Sequence, residues 1–149
     1  MKIYQAAVQD AAKVAPLYVQ YREFYQVDPM PEQALAFMQA RLQFNQSVIF
    51  YAVNDAGEAV GFAQLYPAFC SLQMKPVWWL YDLFVTPSAR RQGVGEALLA
   101  RCKALGEETD AGYIMLQTAH DNTRAQSLYE KEGYIRDNEF YSYNLWLQH

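Results

Sequence analysis

Residues 80–95 have the sequence LYDLFVTPSARRQGVG, and they decide the fold predicted for this chain. The apolar segment 80–85 predicts the end of a β-strand, which Thr86-Pro87-Ser88 terminates. An amphipathic helix is predicted from Val94 to about Leu105. A strand therefore leads into a helix through a short loop that holds two arginines and two glycines.

That loop has the composition of an anion-binding site. The first N–H groups of a helix have no acceptor within the helix, and the helix dipole adds positive potential there. Gly93 and Gly95 allow a phosphate to approach the backbone closely, and Arg90 and Arg91 supply charge-assisted hydrogen bonds. The stretch predicts a site for a diphosphate.

Two common nucleotide-binding loops do not fit this stretch. A Walker loop requires Lys and then Ser or Thr after its last glycine, but Glu96 follows Gly95. A dinucleotide-binding fingerprint requires Gly or Ala three residues after Gly95, and that position is Leu98. An Arg-x-x-Gly-x-Gly loop after a strand remains.

Outward from this stretch, hydrophobic periodicity and turn residues predict the other elements. The first half of the chain is predicted to form a strand at 2–8, a helix with Val14, Leu17, Tyr18, Tyr21 and Tyr25 on one face, and a second helix from Pro31. Three strands are predicted next, at 48–53, at 59–66, where Pro67 ends the strand, and at 77–85. The helix at 94–105, a strand at 113–118, a helix at 123–132 and two short strands within 134–147 complete the prediction. The order βααβββαβαββ predicts an α/β (α+β) fold in one domain, with a mixed, mostly antiparallel central sheet.

Bulk composition restricts the class of protein. Hydrophobic residues make up 52% and charged residues 19% of the 149 residues, which is typical of a globular chain. The net charge of −4 argues against a nucleic-acid scaffold. Cys70 and Cys102 form no disulfide framework and have no metal-type spacing with His120 or His149, so we expect no metal. With no signal peptide and no apolar run of membrane-spanning length, we expect a reduced, cytoplasmic setting.

Three motifs together resemble the GNAT superfamily of N-acetyltransferases. The Arg90-x-x-Gly93-x-Gly95 loop is similar to the family's pyrophosphate loop. The segment from Asn122 to Tyr129, followed by Gly133-Tyr134, is similar to its second cofactor motif, and Ala59-Val60-Gly61-Phe62-Ala63 is similar to its third strand. The resemblance covers essentially the whole chain and implies one N-acetyltransferase domain, 1–149, that uses acetyl-CoA.

The strand 80–85 and the segment from Phe69 to Pro76 are also similar to the diamine and polyamine acetyltransferase branch. That branch commonly has Glu-Asp where this chain has Tyr81-Asp82, so both the branch and the identity of the base are open.

The resemblance implies a set of coenzyme A-binding residues along the strand, the loop and the later helix. They are Leu83, Phe84, Val85, Arg90, Arg91, Gln92, Gly93, Val94, Gly95, Asn122, Ala125 and Tyr129. For Asn122 a plain helix cap is the alternative.

The implied reaction is direct attack of a neutral amine on the acetyl thioester in a ternary complex. Tyr129 matches the family's general acid, with a core ring as the alternative. Because an amine must lose a proton before it attacks, a base is needed. Asp82, or a water held near Tyr81, is the candidate, and a purely structural role for Asp82 is the alternative.

The acceptor pocket is predicted to include Tyr21, Arg22, Tyr25, Phe69, Trp79 and Tyr81. Arg22 is a candidate partner for an acceptor carboxylate, which would favour amino-acid-like over polyamine-like substrates. The acceptor can be an amine of a small molecule or of a protein. Two other functions are alternatives: a non-catalytic acyl-CoA-binding module, and an interaction protein that binds no cofactor. The aromatic tail 140–146 either pairs across a two-fold axis in a homodimer or completes the monomer's sheet.

Overall fold

A computed structural model describes residues 1–147 of the chain. They lie in two compact units, residues 1–117 and residues 118–147. The larger unit holds a five-stranded sheet and three helices, and the smaller one holds a single helix followed by the tail.

The elements follow the predicted order as far as the last helix. They are β1 (Lys2–Gln5), α1 (Ala11–Phe24), α2 (Pro31–Gln43), β2 (Val48–Val53), β3 (Ala59–Cys70), β4 (Lys75–Val85), α3 (Val94–Glu108), β5 (Ile114–Met115) and α4 (Thr123–Lys131). The strands lie in the order β1-β2-β3-β4-β5, antiparallel except for the parallel pair β4–β5. The predicted mixed, mostly antiparallel α/β fold is confirmed.

Helices α1 and α2 share an apolar core with the sheet. Val14 and Met38 are fully buried there together with Phe62 of β3. Helix α3 also contacts β2, β3 and β4, and it approaches β3 at Gly61. A Cβ atom on Gly61 would lie 3.0 Å from Cγ1 of Val94, so the missing side chain lets the start of α3 lie against β3. This contact helps to fix the position of the loop before α3.

The prediction that Pro67 ends β3 is wrong. The strand continues to Cys70, and Pro67 pairs with Trp78 of β4. The pairing of β2 with β3 ends at Val48 and Leu65, so Pro67 lies beyond β2. Since no strand in the described residues lies beside Pro67 on that side, its missing N–H leaves no ladder bond unmade.

The smaller unit contains helix α4 and a tail that has no regular secondary structure up to residue 147. Gly133 follows α4 with φ of +94°, the left-handed conformation predicted for a glycine at the end of a helix. The two short strands predicted within 134–147 are not formed in the structure. Their alternating side chains favour a strand, but a strand also needs a hydrogen-bonding neighbour, and Tyr141 and Tyr143 are about nine-tenths exposed.

Candidate active site

Residues 86–95, which comprise the loop between β4 and α3 and the first two residues of α3, are called the anion loop below. Gly93 is the N-cap of α3 with φ of +79°, and no side chain caps the helix. The first helical hydrogen bond joins the amide of Ala97 to the carbonyl of Gly93 at 3.0 Å. The amides of Val94 and Gly95 therefore have no acceptor within the helix, and this end of a 15-residue helix suits an anion.

Side chains of the anion loop fix its shape. Nε of Arg90 donates to the carbonyl oxygen of Val85 at 3.1 Å, and its guanidinium lies 5.8 Å from the ring centres of Phe24 and Phe84. Nε2 of Gln92 donates to the carbonyl oxygen of Ser88 at 3.3 Å. The structure thus brings both predicted arginines, Gln92 and the glycines into one short turn, with Arg90 anchored and Arg91 exposed.

Strand β4 leaves part of one side without a neighbouring strand. It pairs with β3 along its length, but with β5 only through Trp78 and Trp79. Among the described residues, no strand pairs with 80–85 on the β5 side. The backbone of Leu83, Phe84 and Val85 can therefore accept an extended ligand as an added strand.

A β-bulge in β4 lies beside Asp82. Gln64 of β3 pairs with Asp82, but the next residue, Leu65, pairs with Leu80, so Tyr81 is the extra residue. Bulges are common next to active sites because they redirect side chains. Here Tyr81 is 60% exposed while Asp82 is only 8% exposed.

The buried Asp82 carboxylate belongs to a chain of hydrogen-bonded side chains that we call the Asp82 cluster: Asp82, Gln64, Ser47 and Tyr21. Nε2 of Gln64 donates to Oδ2 of Asp82 at 2.9 Å, and Oγ of Ser47 donates to Oε1 of Gln64 at 2.7 Å. The Tyr21 hydroxyl donates to the carbonyl oxygen of Tyr81 at 3.5 Å and also lies close enough to the carboxylate to lower its pKa. Burial raises the pKa of Asp82 above its ordinary value, and the bonds from Gln64 and Tyr21 lower it in part.

Sequence analysis did not identify Gln64 and Ser47. Gln64 is 1% exposed and Ser47 is 8% exposed, so each is buried with a polar partner. The sequence carried one usable signal, because Gln64 interrupts the apolar run from Val60 to Leu65. A polar side chain in a fully buried strand requires a partner.

Aromatic side chains surround the Asp82 cluster. The rings of Tyr21 and Tyr25 are 5.1 Å apart, and the ring of Tyr81 lies 5.6 Å from Tyr66 and 5.8 Å from Trp79. Burial, and then the negative charge of Asp82, raises the pKa of both Tyr25 and Tyr66. These phenols are therefore kept protonated beside the carboxylate.

The aromatic side chains around the Asp82 cluster thus include four of the residues predicted to bind the acceptor: Tyr21, Tyr25, Trp79 and Tyr81. Phe69 does not, because it pairs with Pro76 at the far end of the β3–β4 hairpin, roughly 20 Å along the strand from Asp82. Nε and Nη2 of Arg22 donate to the carbonyl oxygen of Asp28 at 2.9 and 2.7 Å. That pair of bonds fastens the turn after α1, and a contact of Arg22 with an acceptor stays a prediction.

The smaller unit carries the remaining predicted site residues. Oδ1 of Asn122 accepts from the amide of Ala125 at 3.2 Å, so Asn122 caps α4. The ring of Tyr129 lies 5.9 Å from that of Tyr134. Contacts of Asn122, Ala125 and Tyr129 with a cofactor stay predictions.

Two kinds of feature are absent from the residues that the structure describes. No cluster of His, Cys, Asp and Glu in residues 1–147 has the arrangement of a metal site. Within the same range, no helix has both the length and the apolar character needed to span a membrane.

Comparisons with known proteins show the family of this chain. Residues 14–134 match the profile of the acetyltransferase (GNAT) family. An uncharacterised N-acetyltransferase of Bacillus subtilis (strain 168) is 47% identical over 145 residues, 97% of each chain. A D-amino-acid N-acetyltransferase of Saccharomyces cerevisiae is 34% identical over 91 residues, which are 61% of this chain and 56% of the yeast protein. The crystal structure of a probable acetyltransferase superposes with a TM-score of 0.95 at 41% identity, covering 100% of this chain and 99% of that one.

Proposed function

This chain belongs to the acetyltransferase (GNAT) family and is an acyltransferase, and from that premise we propose that it acetylates a primary amine of a small molecule with acetyl-CoA. The observation that carries the proposal is the buried Asp82 carboxylate on the same strand that leads into the anion loop. One strand would then present both a proton acceptor and the start of a diphosphate site.

In this proposal the anion loop holds the diphosphate of coenzyme A. The first-turn amides of α3 donate to it, and Arg91 adds a positive charge from the exposed side of the loop. Arg90 keeps the loop attached to Val85. The unpaired side of Leu83 to Val85 binds the extended amide arm, so that the acetyl thioester lies near Asp82. When bound, acetyl-CoA supplies the activated acetyl group.

Asp82 is the proposed general base. An alkyl ammonium group has a pKa of roughly 10.4, so it is charged at neutral pH and must lose a proton before it reacts. A carboxylate whose pKa is raised by burial is a better proton acceptor than an exposed one. The proton passes to the Asp82 carboxylate, directly or through a water near Tyr81.

Tyr129 is the proposed general acid, which donates its phenolic proton to the departing thiolate. Tyr129→Phe keeps the ring and removes that proton, so turnover should fall by about 10²-fold or more while the Kd of acetyl-CoA changes little. Tyr134→Phe is the matched control, because its ring contacts that of Tyr129 and has no role in the proposal. Equal turnover in the wild type and Tyr129→Phe would remove Tyr129 from the mechanism.

The acceptor we favour carries an ammonium group. Aromatic faces and a carboxylate together attract a cation, and Tyr21, Tyr25 and Tyr81 contribute rings around Asp82. The name of the yeast relative supports an amino acid as the acceptor. The similarity of 80–85 to the polyamine branch supports a diamine or polyamine instead, and we keep both as candidate substrate classes.

A thiol-release assay tests this proposal. The purified chain is incubated with acetyl-CoA and a panel of D- and L-amino acids, diamines, polyamines and peptides with free N-termini, and free coenzyme A is measured. We expect release with at least one small-molecule amine. Release with peptides alone would favour a protein N-acetyltransferase, and binding of acetyl-CoA with no release for any amine would favour a non-catalytic acyl-CoA-binding module.

A homodimer and a cytoplasmic location stay predictions. The aromatic tail supports the dimer, because Phe140, Tyr141, Tyr143, Leu145 and Trp146 are each at least 79% exposed within one chain. Apolar patches of this kind favour association.

A further inference from the structure

The hydrogen bonds of the Asp82 cluster form a directed chain. Ser47 donates to the amide oxygen of Gln64, and the amide nitrogen of Gln64 donates to Asp82. The three side chains come from the residue before β2, from β3 and from β4, and none is more than 8% exposed. Gln64 and Asp82 face each other directly across the strand pair.

The two protonation states of Asp82 require different hydrogen-bonding groups from Gln64. A carboxylate only accepts hydrogen bonds, whereas a protonated carboxyl group also donates one. A glutamine amide has a donor end and an acceptor end, and rotation by 180° exchanges them. The Ser47 hydroxyl can likewise donate to the amide oxygen or accept from the amide nitrogen. The chain can thus form a hydrogen bond with Asp82 in both of its protonation states.

We propose that Gln64, oriented by Ser47, is a positioning residue that holds the Asp82 carboxylate ionised and then accommodates the proton that Asp82 takes from the amine. This inference rests on the proposed role of Asp82 as base. Gln64 touches neither substrate nor cofactor in this proposal and acts only through Asp82. The other titratable groups that face Asp82 are the phenols of Tyr21 and Tyr25 on and after α1 and of Tyr66 on β3.

Gln64→Met tests the proposal, because methionine has a similar length and no hydrogen-bond donor. Without the amide, the charged form of Asp82 loses one partner, and its pKa should rise by about one unit. The acid limb of the rate-against-pH profile should move to higher pH by the same amount. Ser47→Ala leaves Gln64 in place and should move the limb in the same direction by a smaller amount.

Two controls separate positioning from a loss of stability. Leu65→Ala truncates a fully buried side chain on the same strand and should lower the Tm without moving the acid limb. A ¹³C NMR titration of the Asp82 carboxyl carbon measures its pKa directly and requires no turnover. It therefore gives a result even if none of the tested amines is acetylated, an outcome that would count against the proposed function alone.

Three results would overturn the inference. The Asp82 carbon titrates at the same pH in Gln64→Met, Ser47→Ala and the wild type. Alternatively, the carbon titration moves in Gln64→Met while the acid limb of an active enzyme stays in place. The third result is that Leu65→Ala shifts the acid limb of the rate-against-pH profile by as many pH units as Gln64→Met does.

Discussion

Asp82 lies within a few residues of the anion loop on the chain, but the loop and the Asp82 cluster are built from different parts of the protein. The loop offers backbone amides at the start of α3, and its geometry depends on one glycine with a positive φ. The cluster offers side chains only, drawn from α1, β3, β4 and the residue before β2, and all of them except the half-buried Tyr21 are buried.

That difference predicts how each region responds to substitution. A backbone site tolerates most side-chain changes and fails when the backbone conformation changes. A site that is built from side chains tolerates backbone strain elsewhere in the protein, but it loses its function when a single functional group is replaced. Substitutions in the loop should therefore act on cofactor affinity, and substitutions in the cluster should act on turnover and its pH dependence.

The largest expected effect is that of Asp82→Asn. The amide keeps the shape of the side chain and cannot accept the proton, so kcat should fall by about 10²–10⁴-fold. The Kd of acetyl-CoA should change by less than about threefold, because the loop is not touched. Steady-state kinetics and calorimetry on the same preparation measure the two quantities.

The comparison between the two regions fails if Asp82→Asn weakens acetyl-CoA binding as much as it lowers kcat. Asp82 would then be a structural carboxylate, as the sequence analysis also allowed.

Gly93→Val is expected to have the next largest effect, on affinity. A β-branched residue at φ of +79° is strained by roughly 1–3 kcal/mol, so the loop should leave the conformation that presents its amides. The Kd of acetyl-CoA should rise by about tenfold or more.

Gly57→Val is the matched control for Gly93→Val. Gly57 has φ of +85° in the turn between β2 and β3, and a Cβ atom there, as at Gly93, would meet nothing within 4 Å. The two variants should lose similar stability, while only Gly93→Val should lose affinity. If both variants lost the same affinity for acetyl-CoA, the strain would act on the whole fold and not through the anion loop.

The two regions also differ in how far they could be predicted from sequence. All residues of the loop lie within ten consecutive positions, so a local pattern of Arg, Gly and helix start was sufficient. The partners of Asp82 are 18, 35 and 61 positions away, at Gln64, Ser47 and Tyr21. Only the strand register, including the bulge at Tyr81, brings them together.

The same reasoning explains the errors in the predicted strands. Pro67 was expected to end β3, but a proline interrupts a strand only where a neighbour needs its N–H, and β2 has already ended there. In the tail, alternation at 140–146 favours a strand, yet alternation cannot supply the neighbouring strand that pairing requires.

A smaller effect concerns stability and pH. Burial raises the pKa of Asp82 above 3.8, so the folded chain binds this proton more tightly than the unfolded chain does. The charged carboxylate therefore costs stability, and that cost grows as pH rises from about 4 through the folded-state pKa. The Tm of Asp82→Asn relative to the wild type should increase from pH 4 to pH 8, by about 2–4 °C for each kcal/mol.

A thermal-shift series in buffers of constant ionic strength measures this difference. A Tm difference that decreases with rising pH would mean that hydrogen bonds, and not burial, dominate the pKa of Asp82.

Titration calorimetry of the purified chain with coenzyme A is the most direct test of the central claim, that the turn before α3 binds the diphosphate. We predict saturable one-to-one binding that Gly93→Val weakens by about tenfold or more and that Gly57→Val leaves unchanged. No heat of binding with the wild-type chain, or equal affinity in all three proteins, would contradict the account.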